Sequence, residues 1–135
     1  MTRDRIIISG RVIHGAHYGR KLGFPTANLD RRDYTRRKLN IRFGIYAGRA
    51  CVGNGRDRSL QGQRTHPAAI VLGPIDNRGL PKIEAHLLNF TGNLYGKKIT
   101  LSLKKFIRPF RKFSTVDNLK LQIRKDLEVI NKLQQ

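Results

Sequence analysis

Five short apolar runs, cut apart by glycine, proline and asparagine, set the tightest limit on what this chain can fold into. They cover residues 5–13, 43–52, 67–73, 82–90 and 98–106. In the last run Ile99, Leu101 and Leu103 fall on one side, and Thr100, Ser102 and Lys104 on the other. That is the period of a half-buried strand. Only the end of the chain changes period. Ser114-Thr115-Val116-Asp117 reads as a helix-capping start, and Val116, Leu119, Ile123, Leu127, Ile130 and Leu133 then form a stripe at helical spacing. Short strands closed by one amphipathic helix predict a mainly β fold, a barrel or a sandwich, with the helix packed on it. Asp76-Asn77-Arg78-Gly79 is a turn signal, while residues 30–42 and 53–65 read as polar connections.

Residues 14–28 gather what a nucleotide phosphate and its metal need. Gly15 and Gly19 permit close backbone approach, Arg20 and Lys21 add cationic donors, and Pro25 stiffens the turn. Thr26 and Asn28 then offer neutral oxygens two residues apart, which an extended backbone points to one side. Hard oxygen ligands of this kind suit Mg²⁺. The stretch is no Walker loop, because Leu22 follows the lysine where that loop needs Ser or Thr.

The chain contains two glutamates. Glu128 lies off the apolar stripe of the helix and reads as a solvated charge. Glu84 lies in a strand, and alternation sets it on the face of His86, Leu88 and Phe90. A carboxylate among apolar neighbours is costly unless it is paired or used in chemistry. Both a buried ion pair with an arginine and a catalytic role remain open from position alone. His86 reads as filling the strand. His14 and His17 have no cysteine or acid nearby to complete a zinc set.

Charge is the other strong constraint. Twenty-eight lysines and arginines against nine acids give a net charge of +19, which points to anionic partners such as RNA or another polyanion. No apolar run reaches membrane-spanning length, so membrane insertion is not expected. The N-terminus carries no apolar segment of signal-peptide length. The lone Cys51, in an alternating apolar segment, reads as a buried thiol in a reducing compartment, either cytoplasm or an organellar interior such as a mitochondrial matrix or plastid.

In its motifs and their order the chain resembles the riboflavin kinase (flavokinase) family over nearly its whole length. The resemblance rests on Gly10-Arg11-Val12-Ile13-His14-Gly15, the Pro25-Thr26-Ala27-Asn28 element, Gly44-Ile45-Tyr46-Ala47, Glu84-Ala85-His86-Leu87-Leu88-Asn89-Phe90, Leu94-Tyr95-Gly96 and Ile107-Arg108-Pro109-Phe110-Arg111-Lys112-Phe113. It implies a six-stranded antiparallel Greek-key barrel over about residues 5–113, a C-terminal helix over about 115–133, and a single domain spanning 1–135. It also implies transfer of the ATP γ-phosphoryl group to the 5′-hydroxyl of riboflavin, giving FMN. By position, Glu84 would be the general base, and Thr26 and Asn28 would hold Mg²⁺. Gly15, Gly19, Arg20, Lys21, Thr26, Asn28, Leu87, Asn89 and Tyr95 would bind ATP, and Arg108, Arg111 and Phe113 the flavin. Three features depart from the family pattern: Val71-Leu72-Gly73 after the third strand, Phe110 where many members carry glutamate, and the high positive charge. They leave a second reading, in which the barrel persists as a basic RNA-binding or structural subunit of a ribonucleoprotein.

Overall fold

The computed structural model describes residues 6–14, 23–53, 65–90 and 92–133. Six strands run Ile6–Ile13 (β1), Ala27–Leu29 (β2), Gly44–Gly53 (β3), Thr65–Ile75 (β4), Pro81–Leu87 (β5) and Lys98–Arg108 (β6). They close into an antiparallel barrel in the order β1-β2-β5-β4-β3-β6. β3, β4 and β5 are consecutive neighbours and β6 returns beside β3, which is the Greek-key order. A short helix, Arg32–Arg36 (α1), lies between β2 and β3, and a long one, Val116–Lys132 (α2), ends the described chain.

Alternation along each strand fills the barrel. Ile8, Leu29, Ile70, Leu72, Ile83, Ile99 and Leu101 are fully buried, and each such side chain contributes roughly 1.5–3 kcal/mol. Cys51 is buried, as its apolar setting predicts. A second, smaller cluster forms on the outside, where Ala47 of β3 and Ala69 of β4 meet Ile130 and Leu127 of α2. Small residues on those two strands let the helix approach closely. Thr115 caps α2 by accepting a 3.1 Å hydrogen bond from the Asn118 N–H. The helical stripe packs in its middle and at Ile130, while Val116 and Leu133 at its ends are exposed.

Two elements differ from the pattern read in the sequence. β2 is only three residues long, too short to register as an apolar run, yet it is the strand that joins β1 to β5. Residues 30–42 are not all turn, since Asp33 organises α1. Its carboxylate accepts hydrogen bonds from the Ser9 N–H (3.1 Å), Arg37 (3.0 Å) and Arg36 (3.2 Å). Burial works to raise the Asp33 pKa, but those partners outweigh it and hold the group below the ordinary carboxylate range. The same segment sends Tyr34 into the barrel core, so its polar composition hid a structural plug.

Two register shifts in the β3–β6 pairing, each with its extra residue on β6, frame the segment where Gly48 lies against that strand. A Cβ there would stand 2.1 Å from the Ser102 carbonyl oxygen and 2.8 Å from Ile70 Cδ1. Gly48→Ala is therefore expected to destabilise the fold by about 1–3 kcal/mol, read as a lower urea midpoint at unchanged slope.

Candidate active site

β5 turns Pro81, Ile83, Ala85 and Leu87 into the barrel, leaving Lys82, Glu84 and His86 on its outer face. Strand register sets Asn28 of β2 directly beside Glu84 on one side and Val71 of β4 on the other. Opposed side chains of this kind have Cβ atoms about 4.5–5.5 Å apart. Thr26 precedes Asn28 by two residues, so both face outward near the carboxylate. His86 fastens the segment ahead of β2. Its Nδ1–H donates a 2.6 Å hydrogen bond to the Pro25 carbonyl, and Phe24 lies edge-on to its ring at 6.1 Å. A carbonyl only accepts, so Nδ1 carries the hydrogen.

Glu84 stands between two cavities of opposite character. The larger, about 240 Å³, lies between the barrel and α2. Its walls are mainly apolar: Ile45, Ala69 and Val71 from the strands, Leu119 and Ile123 from the helix, and Phe24, Phe110 and Phe113 around the mouth. Thr26 and His86 also reach it. The smaller, about 150 Å³, is more polar: His14, Asn28, Arg31, Asp76 and Lys82 line it together with Ile13, Leu29 and Ile83. Glu84 of β5 forms part of the wall of each cavity. Arg31 is anchored there by an ion pair with Asp76. That bond, helped by the Arg78 and Leu80 N–H groups, holds the Asp76 pKa at about 2.

Among the described residues Glu84 makes no ion pair. Burial pushes its pKa above the ordinary value, and Lys82 only partly opposes the shift. A carboxylate kept unpaired and made more basic by desolvation is what a proton acceptor needs.

The flavin-side residues of the family pattern also come together. Arg108, Arg111 and Phe113 line the larger cavity, with the guanidinium carbons 5.8 Å and 5.3 Å from the Phe113 ring centre. Arg108 is not loose at that wall. Its Nε and Nη2 fork onto Asp126 of α2 at 3.1 Å and 2.8 Å, and Gln122 donates to the same carboxylate at 2.9 Å. Asp126 is 5% exposed, and the sequence reading missed it. The signal was an acid flanked by Ile123, Leu127 and Ile130 with an arginine needed opposite. Other predicted residues lie elsewhere. Leu87 points into the barrel core, and Asn89 is exposed in a left-handed turn (φ 57°). That turn breaks the alternation, so Phe90 packs against the core cluster rather than beside Glu84. Tyr95 is half exposed and stacks on His14 at 3.9 Å, at the edge of the polar cavity. Gly15, Gly19, Arg20 and Lys21 lie outside the described residues.

A closed antiparallel barrel backed by a helix thus sets one partly buried carboxylate between an apolar cleft and a more polar one. Comparison with known proteins makes this specific: the chain belongs to the riboflavin kinase (flavokinase) family, whose sequence model matches residues 2–134. It is 38% identical over 126 residues to the bifunctional riboflavin kinase/FMN adenylyltransferase of Buchnera aphidicola subsp. Schizaphis graminum, covering 93% of this chain and 38% of that protein. It is 34% identical over 129 residues to the RNA-binding riboflavin kinase RibR of Bacillus subtilis, covering 93% of this chain and 50% of that one. The chain thus spans between about a third and a half of these curated relatives. A riboflavin kinase from Trypanosoma brucei has the same fold, with a TM-score of 0.69 at 22% identity, covering 94% of this chain and 78% of that one.

Asp126→Ala leaves Arg108 charged and unpaired against the apolar cavity. A loss of about 3–5 kcal/mol in stability is expected, measured by chemical denaturation, with Asp126→Asn falling between the two.

Proposed function

We propose that this chain is a riboflavin kinase, moving the γ-phosphoryl group of ATP to the 5′-hydroxyl of riboflavin to give FMN and ADP. The observation that carries this reading is the position of Glu84 on the boundary between the apolar and the polar cavity. The isoalloxazine ring takes the apolar cleft, flanked by Phe113 and by the planar guanidinium groups of Arg108 and Arg111. Its ribityl chain then runs toward Glu84, and the triphosphate occupies the polar side. There Lys82 supplies a cation, beside the Arg31–Asp76 ion pair. Glu84 accepts the proton of the 5′-hydroxyl as that oxygen attacks the γ-phosphorus, and ADP leaves on the opposite side. Position and charge neutralisation supply most of the rate in such transfers, and a placed base adds about 10²–10⁴.

Thr26 and Asn28 fit a magnesium site of the substrate-held kind. No group of three His, Cys, Asp or Glu among the described residues could cage a metal. Asn28 on the polar cavity and Thr26 on the apolar one offer neutral oxygens on either side of Glu84, which suit an ion that takes its remaining ligands from phosphate and water. When bound, Mg²⁺ would screen the phosphate charge. The chain's own part is to orient: His86 fixes Pro25, and Pro25 leads directly into Thr26. Such an enzyme works where Cys51 stays reduced, and no described helix is long and apolar enough to cross a membrane.

A second reading adds RNA as a partner. It is favoured by the net charge of +19 and by the relative named an RNA-binding riboflavin kinase. It needs no loss of the kinase site.

The test is FMN formation from riboflavin and ATP, with and without Mg²⁺, in wild type and Glu84→Gln. The variant is expected to fold normally and to lose about 10²-fold or more in kcat. Undiminished turnover would show that Glu84 is not the base. In wild type the acid limb of the rate profile should fall through a pKa raised above 4.5, because the base must be deprotonated. The stability sign is opposite. A raised folded-state pKa gives stability that is present below the unfolded value and lost as pH rises through the folded one. At neutral pH the buried carboxylate therefore costs stability, and Glu84→Gln should melt at or above the wild-type temperature.

A further inference from the structure

α2 has two working faces. Leu119, Ile123, Asp126 and Leu127 turn toward the apolar cavity and the barrel. Asn118, Leu121, Gln122 and Lys125, which follow the i, i+3, i+4, i+7 spacing of a single helix face, turn to a separate groove of about 290 Å³. The segment after β6 forms its other wall, with Arg111, Lys112 and Phe113. Three cations and an aromatic ring therefore meet there, and no acid lines the groove. Lys112 and Lys125 make no ion pair among the described residues. Arg111 is steadied instead by donating to the neutral Gln122 side chain, which leaves its charge uncompensated.

Asp30, Asp33, Asp76 and Asp126 each hold an arginine, and Asp117 and Glu128, though on α2, line no part of the groove. Leu121 is 49% exposed on the groove wall, giving an apolar surface beside the cations. From Asn118 to Lys125 the helix rises about 10 Å, roughly the length of three stacked nucleotides at about 3.4 Å each. Cations along a groove with an aromatic ring to stack on suit an unpaired nucleic-acid strand, whose bases are free to turn onto the ring. A duplex keeps its bases paired and has no use for Phe113.

We infer that the groove between the Arg111–Phe113 segment and the outer face of α2 binds single-stranded RNA, and that riboflavin competes with it. This rests on the RNA reading above and gives it a location. Competition follows from the shared wall: Arg111 and Phe113 line both the groove and the larger cavity, so a ligand that fixes them in one withdraws them from the other.

Fluorescence anisotropy with a labelled oligouridylate of about 12 nucleotides, titrated with the full chain over a range of salt, tests the inference. Wild type should bind with an affinity that falls steeply with salt, and saturating riboflavin should raise Kd by about fivefold or more. Lys112→Glu with Lys125→Glu should raise Kd by about tenfold or more and lower the salt slope by about one to two. FMN formation should be unchanged, since neither lysine touches the kinase site. The alanine pair Lys112→Ala with Lys125→Ala should show the same direction with smaller size, which guards against misfolding of the charge-reversed protein. If wild type binds the oligouridylate but both pairs bind as tightly, the groove is wrong while the RNA reading stands. If wild type binds no RNA at low salt, or binds anionic phospholipid vesicles instead, the RNA reading falls with it. Binding that riboflavin leaves untouched overturns the competition.

Discussion

Pairing of the three residues of β2 between β1 and β5 is the contact on which both the barrel and its site depend. Val12 faces Leu29 on one side, and Ala85 faces Ala27 on the other, so the strand closes the sheet. The same register puts Asn28 next to Glu84. A slip of one residue would turn Leu29 to the outside and Asn28 into the core. Ala27 and Leu29, both buried, make such a slip costly. The hydrogen bond from His86 to Pro25 holds the approach to the strand from the direction of the site. Closure of the fold and assembly of the candidate phosphate and metal ligands are thus a single event.

The second organising feature is the way α2 is held away from the barrel at one end and against it at the other. Near its C-terminal end Ile130 and Leu127 sit on Ala47 and Ala69. Next to that contact Asp126 grips Arg108, and toward the helix start Leu119 and Ile123 border the cleft that also touches Val71 and Glu84. The ion pair is expensive to bury in isolation, but the fork geometry and the added Gln122 contact satisfy the carboxylate. Such a strut defines the depth of the cleft more sharply than apolar contact alone. Phe110 contributes a further apolar wall to that cleft.

Much of the barrel was legible because its strands alternate. Ile99, Leu101 and Leu103 announced their inward side, and the structure buries all three. The helix start was legible from Thr115 for the same local reason, a hydroxyl placed where an N–H lacks a partner. β2 was not, because three residues carry no period. α1 was not, because Asp33 and its arginines look like loop polarity until Ser9 supplies the third partner from a distant strand. In the candidate site, Glu84 stood out as an acid in an apolar context, and the structure sets it at the border of two cavities. The roles of His86 and Asp126 were hidden, since each is defined by a partner far along the chain: Pro25 is 61 residues from His86, and Arg108 is 18 from Asp126.

By itself the sequence determined what depends on neighbours along the chain: strand periodicity, the capped amphipathic helix, the order of family motifs and the excess of positive charge. Tertiary structure alone decided that Glu84 makes no ion pair among the described residues, that it lies between an apolar space and a more polar one, and that α2 lines two grooves at once. The reason is the range of the forces involved. Backbone preference and side-chain period act within a few residues, whereas desolvation and charge pairing are set by whatever the closed barrel brings within several ångströms.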